Sequence, residues 1–356
     1  MLSLPGYRIV EELPQRGATA HYRGLRNADG IAVSILAANA GSEDAARLTR
    51  EYTLAAGLHI RGVVPPLLCE SHGGRVVLVR AACAGSPLAE LISAGGMPVA
   101  AALRTTAAAA RVLEELHRRQ RLHLGLAPDT LLVDVSGQAY LTDFGRAASL
   151  PLAEREAGTP PDNPAYMAPE QTGRTGSEIG TGTDLYALGI ILFELLTGEL
   201  PFRVRDPLDW FHCHIARAPA PPRSLKPTIP PAVEQLVLKL LAKAPEERYR
   251  SAAGLAWDLL DCAERIETGG DWKGFSPGAR DAVPTLAIPA QLYGRENERR
   301  ILLDTWRRAA AGGAELLLVA GHAGLGKSSL VHELQAVVSR DGGHFVAGKF
   351  DERNRA

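Results

Sequence analysis

The sequence predicts an α+β domain over residues 1–268, followed by the start of an α/β domain over residues 291–356. Short strand-like runs separated by turn-rich stretches fill the N-terminal part, and long helical segments follow them. A glycine-rich G-x-x-x-x-G-K-S motif then stands between an apolar run and a helical segment, at residues 321–328. The intervening residues 269–290 are rich in glycine and proline, which predicts a linker.

The bulk composition excludes several classes of function. The 39 basic and 40 acidic residues give a net charge of −1, which provides no electrostatic case for binding nucleic acid or an anionic membrane surface. The four cysteines lie far apart without a C-x-x-C pair, so neither a disulfide framework nor a zinc site is expected. The most apolar run, residues 185–196, is too short to span a bilayer. We therefore expect a cytoplasmic protein with no membrane segment in this stretch.

Local patterns place the individual elements of the first domain. Strand-like runs lie at residues 7–13, 21–26 and 31–36. A helix is predicted at residues 47–58, a further strand at residues 76–80, and a helix with a proline in its first turn at residues 98–119. Later helices are predicted at residues 231–243 and 251–267, with Ser251 as N-cap and Gly269 as the stop signal. In the second domain, a helix is predicted to end near residue 311, before an apolar strand at 315–320.

The glycine-rich motif predicts a phosphate-binding P-loop, because it has the required strand before it and helix after it. Its backbone amides would hold the phosphates, Lys327 would reach the terminal ones and Ser328 would ligate Mg²⁺. The nucleotide-binding residues predicted here are Gly321, Gly324, Gly326, Lys327, Ser328 and Ser329. Asp351 is a superficial candidate for a second metal carboxylate. Only 28 residues follow Ser328, so we expect a truncated P-loop NTPase domain.

Residues 121–145, RLHLGLAPDTLLVDVSGQAYLTDFG, resemble the catalytic loop, hairpin and metal-binding turn of a protein kinase. In that family the loop reads His-Arg-Asp, four residues and Asn, and an Asp-Phe-Gly turn follows. The resemblance implies an α+β two-lobed fold, with a small lobe of about residues 1–82 and a large lobe of about residues 83–268. It also implies ATP and Mg²⁺ as cofactors.

The residues that carry the kinase chemistry are replaced. Gly125 stands at the general base, Thr130 at the metal-binding Asn, and Ser34, in Ala32-Val33-Ser34-Ile35, at the phosphate-binding lysine. Positions of the glycine-rich loop hold Pro14, Arg16 and Thr19. Arg23 or Arg26 is an alternative phosphate ligand, and without a lysine Glu51 is expected to be a solvated helix charge. We therefore predict a pseudokinase with no confident catalytic residue.

The residues that organise the kinase scaffold are retained. The resemblance assigns structural roles to His123, Phe144, Gly145, Glu170, Asp184 and Arg248, with Arg248 pairing Glu170. Asp143 has two interpretations, as a ligand of one Mg²⁺ ion or as part of a turn kept for packing. The packing interpretation is favoured, which makes ATP and Mg²⁺ doubtful at the kinase-like site.

The order of the segments resembles bacterial multidomain signalling proteins that join a serine/threonine-kinase-like domain, an AAA-type P-loop ATPase and a sensor histidine kinase. The sequence segments on which this resemblance rests are PEQTGR, DLYALGIILFELLTGELPF, LYGRE and GKFDE. The resemblance implies a two-component signalling context, with protein partners and downstream domains of the same polypeptide. Three functions remain open at this point: a regulatory pseudokinase, an active atypical serine/threonine kinase, and a signalling ATPase acting at the P-loop.

Overall fold

The computed structural model describes residues 2–16, 18–92, 96–150, 163–204, 209–281 and 296–320, together with residues 331 and 338. The chain divides into two compact units, Met1–Val283 and Pro284–Ala356. Among the described residues, no helix has the length and apolar character that crossing a bilayer requires.

A five-stranded antiparallel sheet forms the small lobe of the first unit, with strand order β1-β2-β3-β5-β4. Its strands are β1 (Tyr7–Arg16), β2 (Thr19–Arg26), β3 (Ala32–Asn39), β4 (Pro66–His72) and β5 (Arg75–Ala81). Because side chains alternate across a strand, β3 has two differently packed faces. Val33 and Ile35 pack on one face, and Leu36 packs on the other beside Leu78. Ser34 therefore lies on the face that also carries Leu36.

Helix α1 (Glu43–Ala55) covers that second face of the sheet. Ser42 caps it by accepting a hydrogen bond from the Ala45 amide at 3.1 Å, and two acidic residues in the first turn match the helix dipole. Its buried residues recur at helical spacing, at Ala45, Leu48, Glu51 and Ala55. Glu51 is thus carried into a buried stripe by its position in the sequence.

The large lobe is helical and contains the main core. Short strands β6 (Ser86–Pro87), β7 (Arg121–Leu122), β8 (Leu131–Val133), β9 (Ala139–Leu141) and β10 (Ala148–Ser149) form two small sheets. The helices are α2 (Leu88–Leu91), α3 (Val99–Arg118), α4 (Thr181–Thr197), α5 (Asp209–Ala216), α6 (Pro222–Leu225), α7 (Pro231–Leu240) and α8 (Ala252–Thr268). Helix α4 is buried on nearly every side, as its almost continuous apolar sequence requires. The predicted α+β fold with a sheet lobe and a helical lobe is confirmed.

A segment after α8 extends the first unit beyond the predicted boundary at residue 268. The Asp281 carboxylate accepts hydrogen bonds from the amide of Ser251 at 3.1 Å and from its hydroxyl at 2.7 Å, and the Gly278 amide donates to Asp258 at 2.6 Å. A Cβ at Gly254 would clash with the Asp281 carboxylate, so only glycine admits this approach. We call residues 271–281 the strap. These contacts join residues 271–281 to the first unit, although their composition predicts a linker.

The second unit is described over one helix and the residues that follow it. Helix α9 (Glu296–Ala310) confirms the helix predicted to end near residue 311. The strand predicted at residues 315–320 is wrong, because this stretch has no regular secondary structure and pairs with none of the described strands. Leu316 and Leu318 are 88% and 86% exposed there. The P-loop residues 321–329 and Asp351 lie outside the described residues.

Candidate functional site

Asp184, in the first turn of α4, organises the loop that resembles a catalytic loop. Its carboxylate accepts hydrogen bonds from the amides of His123 at 2.9 Å and Leu124 at 2.8 Å, and lies 2.9 Å from His117 Nε2. Burial pushes the pKa of Asp184 upward, but its hydrogen bond and charge interaction with His117 outweigh burial and hold the pKa below its usual range. Leu124 adopts a left-handed φ of 58°. The carboxylate therefore holds a strained loop in place.

His123 and Phe144 form a packing unit beneath the site. Both side chains are fully buried, and their ring centroids lie 4.8 Å apart. His123 Nε2 lies 2.9 Å from the Thr142 carbonyl oxygen, and burial lowers the pKa of the imidazole, which favours the neutral form. A Cβ on Gly145 would meet the Arg47 side chain at 3.3 Å, so this glycine permits close approach of α1. His123, Phe144 and Gly145 are thus found together.

Gly125 and Thr130 lie where the resemblance places the base and a metal ligand. Thr130 Oγ1 accepts from the Ala127 amide at 3.0 Å, and it lies 3.2 and 3.1 Å from the carbonyl oxygens of Gly125 and Ala127, to which it donates. That hydroxyl is occupied in holding the loop. At Gly125 a Cβ would meet nothing nearer than the Arg146 side chain at 3.5 Å. The loop therefore has room for a side chain but carries no acid or base there.

Ser34 contributes no positive charge to the site. Its hydroxyl lies 2.8 Å from His21 Nε2, and its direct neighbour across the sheet is Arg80 on β5. Of the two alternative arginines, Arg23 is the direct neighbour of Ser34 on β2, but its side chain is exposed. Arg23 pairs with Glu11 at 2.8 Å, and Arg26 pairs with Asp29 beside the β2–β3 turn.

Arg80 and Glu51 form a buried ion pair between β5 and α1. Their side chains are 10% and 1% exposed, so the prediction that Glu51 is a solvated charge is wrong. Burial raises the pKa of Glu51, and the Arg80 guanidinium opposes that rise. The role of Arg80 was not predicted from the sequence, because in a kinase the cation of this pair is a lysine on β3. An arginine inside the apolar run VVLVRA was the available signal.

A second ion pair joins α1 to the Asp-Phe-Gly turn. Arg47 lies 3.5 Å from the Asp143 carboxylate, and Asp143 adopts a left-handed φ of 62°. Burial acts to raise the pKa of Asp143, but Arg80 and then Arg47 outweigh burial and hold the pKa below its usual range. Asp143 is therefore a carboxylate in a field of two guanidinium groups.

These groups border two neighbouring cavities. The larger, of about 470 Å³, is lined by Gly125, Thr130, Asp143, Arg47 and Arg146, among others. The smaller, of about 70 Å³, is lined by Thr19, Leu36, Asp44, Arg47, Leu48, Glu51, Arg80 and Asp143. The first lies over the missing base and the second over the two ion pairs.

The residues present do not fit the magnesium site that the resemblance implies. Mg²⁺ prefers carboxylate and water ligands in octahedral geometry, and Thr130 replaces one expected ligand with a hydroxyl bound to the loop backbone. The remaining carboxylate, Asp143, is already paired with Arg47. Across the described part of the chain, no group of three or more His, Cys, Asp or Glu side chains is arranged to hold a metal ion.

The scaffold around the site is held by a third ion pair. Arg248 donates to the two oxygens of Glu170 at 2.7 and 2.9 Å, the pairing that the sequence predicts, and both side chains are at most 1% exposed. Thr183 also donates to Glu170 at 2.7 Å. Arg248 donates further to the carbonyl oxygens of Ala242 and Lys243. Every charge in this cluster is therefore partnered.

Comparisons with known proteins agree with this architecture. Residues 17–258 match the protein kinase domain, and residues 291–356 match an AAA ATPase domain. The DNA damage-responsive serine/threonine-protein kinase RqkA of Deinococcus radiodurans is 29% identical over 97% of this chain and 55% of its own length. Serine/threonine-protein kinase Pkn1 of Myxococcus xanthus is 32% identical over 69% of this chain and 37% of its own length.

A further relative, hybrid signal transduction histidine kinase G of Dictyostelium discoideum, is 34% identical over 54% of this chain and 6% of its own length. The chain thus spans about half the length of RqkA and less of the other two. The kinase match covers more than half of the chain, and the sheet lobe, helical lobe and buried Glu170–Arg248 pair accompany it. The chain therefore belongs to the protein kinase domain family and carries an AAA ATPase domain match after the kinase domain.

Proposed function

We propose that the kinase-fold unit is a regulatory pseudokinase and that the nucleotide chemistry of the chain belongs to its ATPase domain. The observation that carries this proposal is Gly125, a residue without a side chain at the position of the base, in a loop that is otherwise anchored by Asp184. A positioned general base is worth about 10²- to 10⁴-fold in rate. Its loss alone removes most of the rate of phosphoryl transfer.

Independent losses at two other positions support the same proposal. Ser34 replaces the phosphate lysine with a hydroxyl that meets His21. Thr130 replaces a metal ligand and is engaged with the loop backbone. Charge stabilisation at the transferred phosphoryl group supplies most of the catalysis in kinases, because the protein has little covalent chemistry to perform. A site that lacks the phosphate lysine, the general base and one metal ligand has lost most of the groups that stabilise the transition state of phosphoryl transfer.

ATP and Mg²⁺ are assigned to the P-loop under this proposal. Lys327 and Ser328 stand in a G-x-x-x-x-G-K-S motif inside the AAA ATPase match. The kinase-fold unit would dock protein partners and act on the ATPase domain and on downstream domains of the same polypeptide. The retained scaffold, with buried pairs such as Glu170–Arg248, suits a module that is recognised by its shape.

An active serine/threonine kinase is the second candidate. One observation favours it: Arg80 brings a positive charge to the buried α1 glutamate that a kinase pairs with its lysine. RqkA and Pkn1 are both named serine/threonine-protein kinases. An arginine differs from lysine at such a site, because its planar fork is larger and less adaptable.

Phosphorylation of a generic protein substrate separates the two candidates. The complete chain, carrying Lys327→Ala to silence the P-loop, is incubated with labelled ATP, Mg²⁺ and a basic protein substrate. The proposal expects incorporation no greater than that of the same chain with Asp143→Ala. Robust, metal-dependent incorporation that Asp143→Ala abolishes would establish the active kinase instead.

A further inference from the structure

We propose that two internal ion pairs, Arg80–Glu51 and Arg47–Asp143, take the places of the phosphate lysine and of the metal, so that the kinase-fold unit is assembled and closed without Mg²⁺-ATP. This inference rests on the proposed pseudokinase function and states which contacts hold the kinase-like site together. It concerns binding, whereas the proposed function concerns phosphoryl transfer.

The positive charge that pairs with Glu51 is supplied by β5 instead of β3. Ser34 and Arg80 are direct neighbours in the antiparallel register, so their side chains leave the same face of the sheet. That face is covered by α1, which places Glu51 within reach of either position. Arg80 donates to Glu51. The pair that fixes α1 to the sheet is thus retained with its cation supplied by the neighbouring strand.

Helix α1 also pairs with the carboxylate of the Asp-Phe-Gly turn. Arg47 precedes Glu51 by one helical turn, so both side chains project from the same face of α1. Glu51 pairs into the small lobe, and Arg47 pairs with Asp143 in the large lobe at 3.5 Å. The close approach of Arg47 to Gly145 keeps the helix against that turn. One helix therefore ties the two lobes together with two ion pairs.

Charged side chains line the smaller of the two cavities. Two guanidinium groups, of Arg47 and Arg80, and three carboxylates, of Asp44, Glu51 and Asp143, line a cavity of about 70 Å³, which is too small for a triphosphate. A Mg²⁺ ion at Asp143 would enter beside Arg47 and Arg80 and would be repelled by both. A triphosphate without its metal would add several negative charges beside Asp143 and Glu51. The Arg80–Glu51 and Arg47–Asp143 pairs are each neutral, and Asp44 adds one further negative charge that opposes a triphosphate.

Calorimetric titration of the complete chain carrying Lys327→Ala tests the closed site. Three titrants are used: ATP with excess Mg²⁺, ATP with EDTA, and Mg²⁺ alone. We expect no saturable heat and no change in melting temperature with any of them, since a ligand that binds the native state raises the melting temperature.

Two outcomes would overturn the inference. Saturable Mg²⁺-ATP binding that Asp143→Asn abolishes would assign the metal to Asp143. Saturable ATP binding that persists in EDTA and is lost in Arg80→Met would make Arg80 a phosphate ligand. Either result without phosphoryl transfer would refute the closed site while leaving the pseudokinase proposal intact.

Hydrogen exchange tests the claim that the ion pairs hold α1. Arg47→Met is compared with Glu43→Gln, which alters an exposed position on the same helix. We expect exchange of the α1 amides to rise at least tenfold in Arg47→Met, to be unaltered by Mg²⁺-ATP, and to stay native-like in Glu43→Gln. Native-like protection of α1 in Arg47→Met would contradict the inference. Protection of the α4 amides reports in the same experiment that the large lobe remains folded.

Discussion

Arg80 on β5 and Glu51 on α1 meet as an ion pair that is almost completely removed from solvent. The pair preserves the link between helix and sheet in a chain whose first lysine is Lys226. Taking two charges out of water costs several kcal/mol per ion, which their attraction offsets only when both partners are present. The structure therefore depends on the pair being complete.

We predict that Glu51→Gln destabilises the kinase-fold unit by about 3–5 kcal/mol, because it leaves the Arg80 charge buried and unpaired. Replacing both partners, as Glu51→Leu with Arg80→Met, is expected to be close to neutral. Urea unfolding followed by circular dichroism measures both effects. Glu43→Gln, at an exposed position of the same helix, is the matched control and should change stability by about 0.5 kcal/mol or less. Equal costs for the single and double variants would contradict this account.

Gly125→Asp restores the missing carboxylate in a position that has room for it, since the nearest atom to an added Cβ is 3.5 Å away. We predict a folded protein that still shows no phosphoryl transfer, because Ser34 and Thr130 remain. Thermal melting and labelled-phosphate incorporation are the two measurements. Rapid transfer by this single variant would mean that the base was the only missing component.

The strap makes a separate prediction about the C-terminal edge of the kinase-fold unit. Asp281→Ala removes an acceptor for the Ser251 amide and hydroxyl. That hydroxyl caps α8 by accepting a hydrogen bond from the Gly254 amide at 3.0 Å. We expect a loss of about 1–3 kcal/mol, the cost of leaving buried hydrogen-bonding groups without partners. Limited proteolysis should then cut within residues 271–281. Ser276→Ala, at an exposed position of the same segment, is the control and should leave the protease pattern unchanged. An identical pattern for both variants would show that the strap does not depend on Asp281.

The free energy of unfolding at acidic pH should depend on the buried imidazole of His214. Burial, and then the Lys243 charge, lower the pKa of His214 to about 3. Nε2 lies 2.9 Å from the Pro164 carbonyl oxygen, and Nδ1 lies 3.1 Å from the Tyr186 hydroxyl, so the neutral ring is satisfied. The unfolded chain binds this proton near pH 6.5 and the folded chain does not. Stability should therefore be constant above that pH and decrease below it by about 1.4 kcal/mol per pH unit for this proton.

Urea unfolding at pH 7, 6 and 5 measures that decrease. His214→Gln should reduce the slope between pH 6.5 and 5. The slope should not vanish, because His123 is also buried with a lowered pKa. An unchanged slope in His214→Gln would show that the imidazole does not contribute to acid sensitivity.

The sequence allowed prediction of what depends on spacing along the chain. The lobes, the anchoring residues Asp184 and Arg248, and the replaced residues Gly125 and Thr130 follow from motifs with fixed intervals. Arg80 was missed because its partner Glu51 lies 29 residues away and its role depends on the register of β3 with β5. The strap was interpreted as linker from its glycine and proline content. Its anchors, Asp258 and Asp281, act through contacts that local composition does not encode.

The most direct test of the central claim is a single-turnover reaction with the chain in excess over labelled ATP. The complete chain carries Lys327→Ala, so that the P-loop does not hydrolyse the label, and Mg²⁺ is saturating. We expect all label to remain as ATP, as it does with Asp143→Ala added. Transfer of label to protein, dependent on Mg²⁺ and lost with Asp143→Ala, would contradict the assignment of this unit as a pseudokinase.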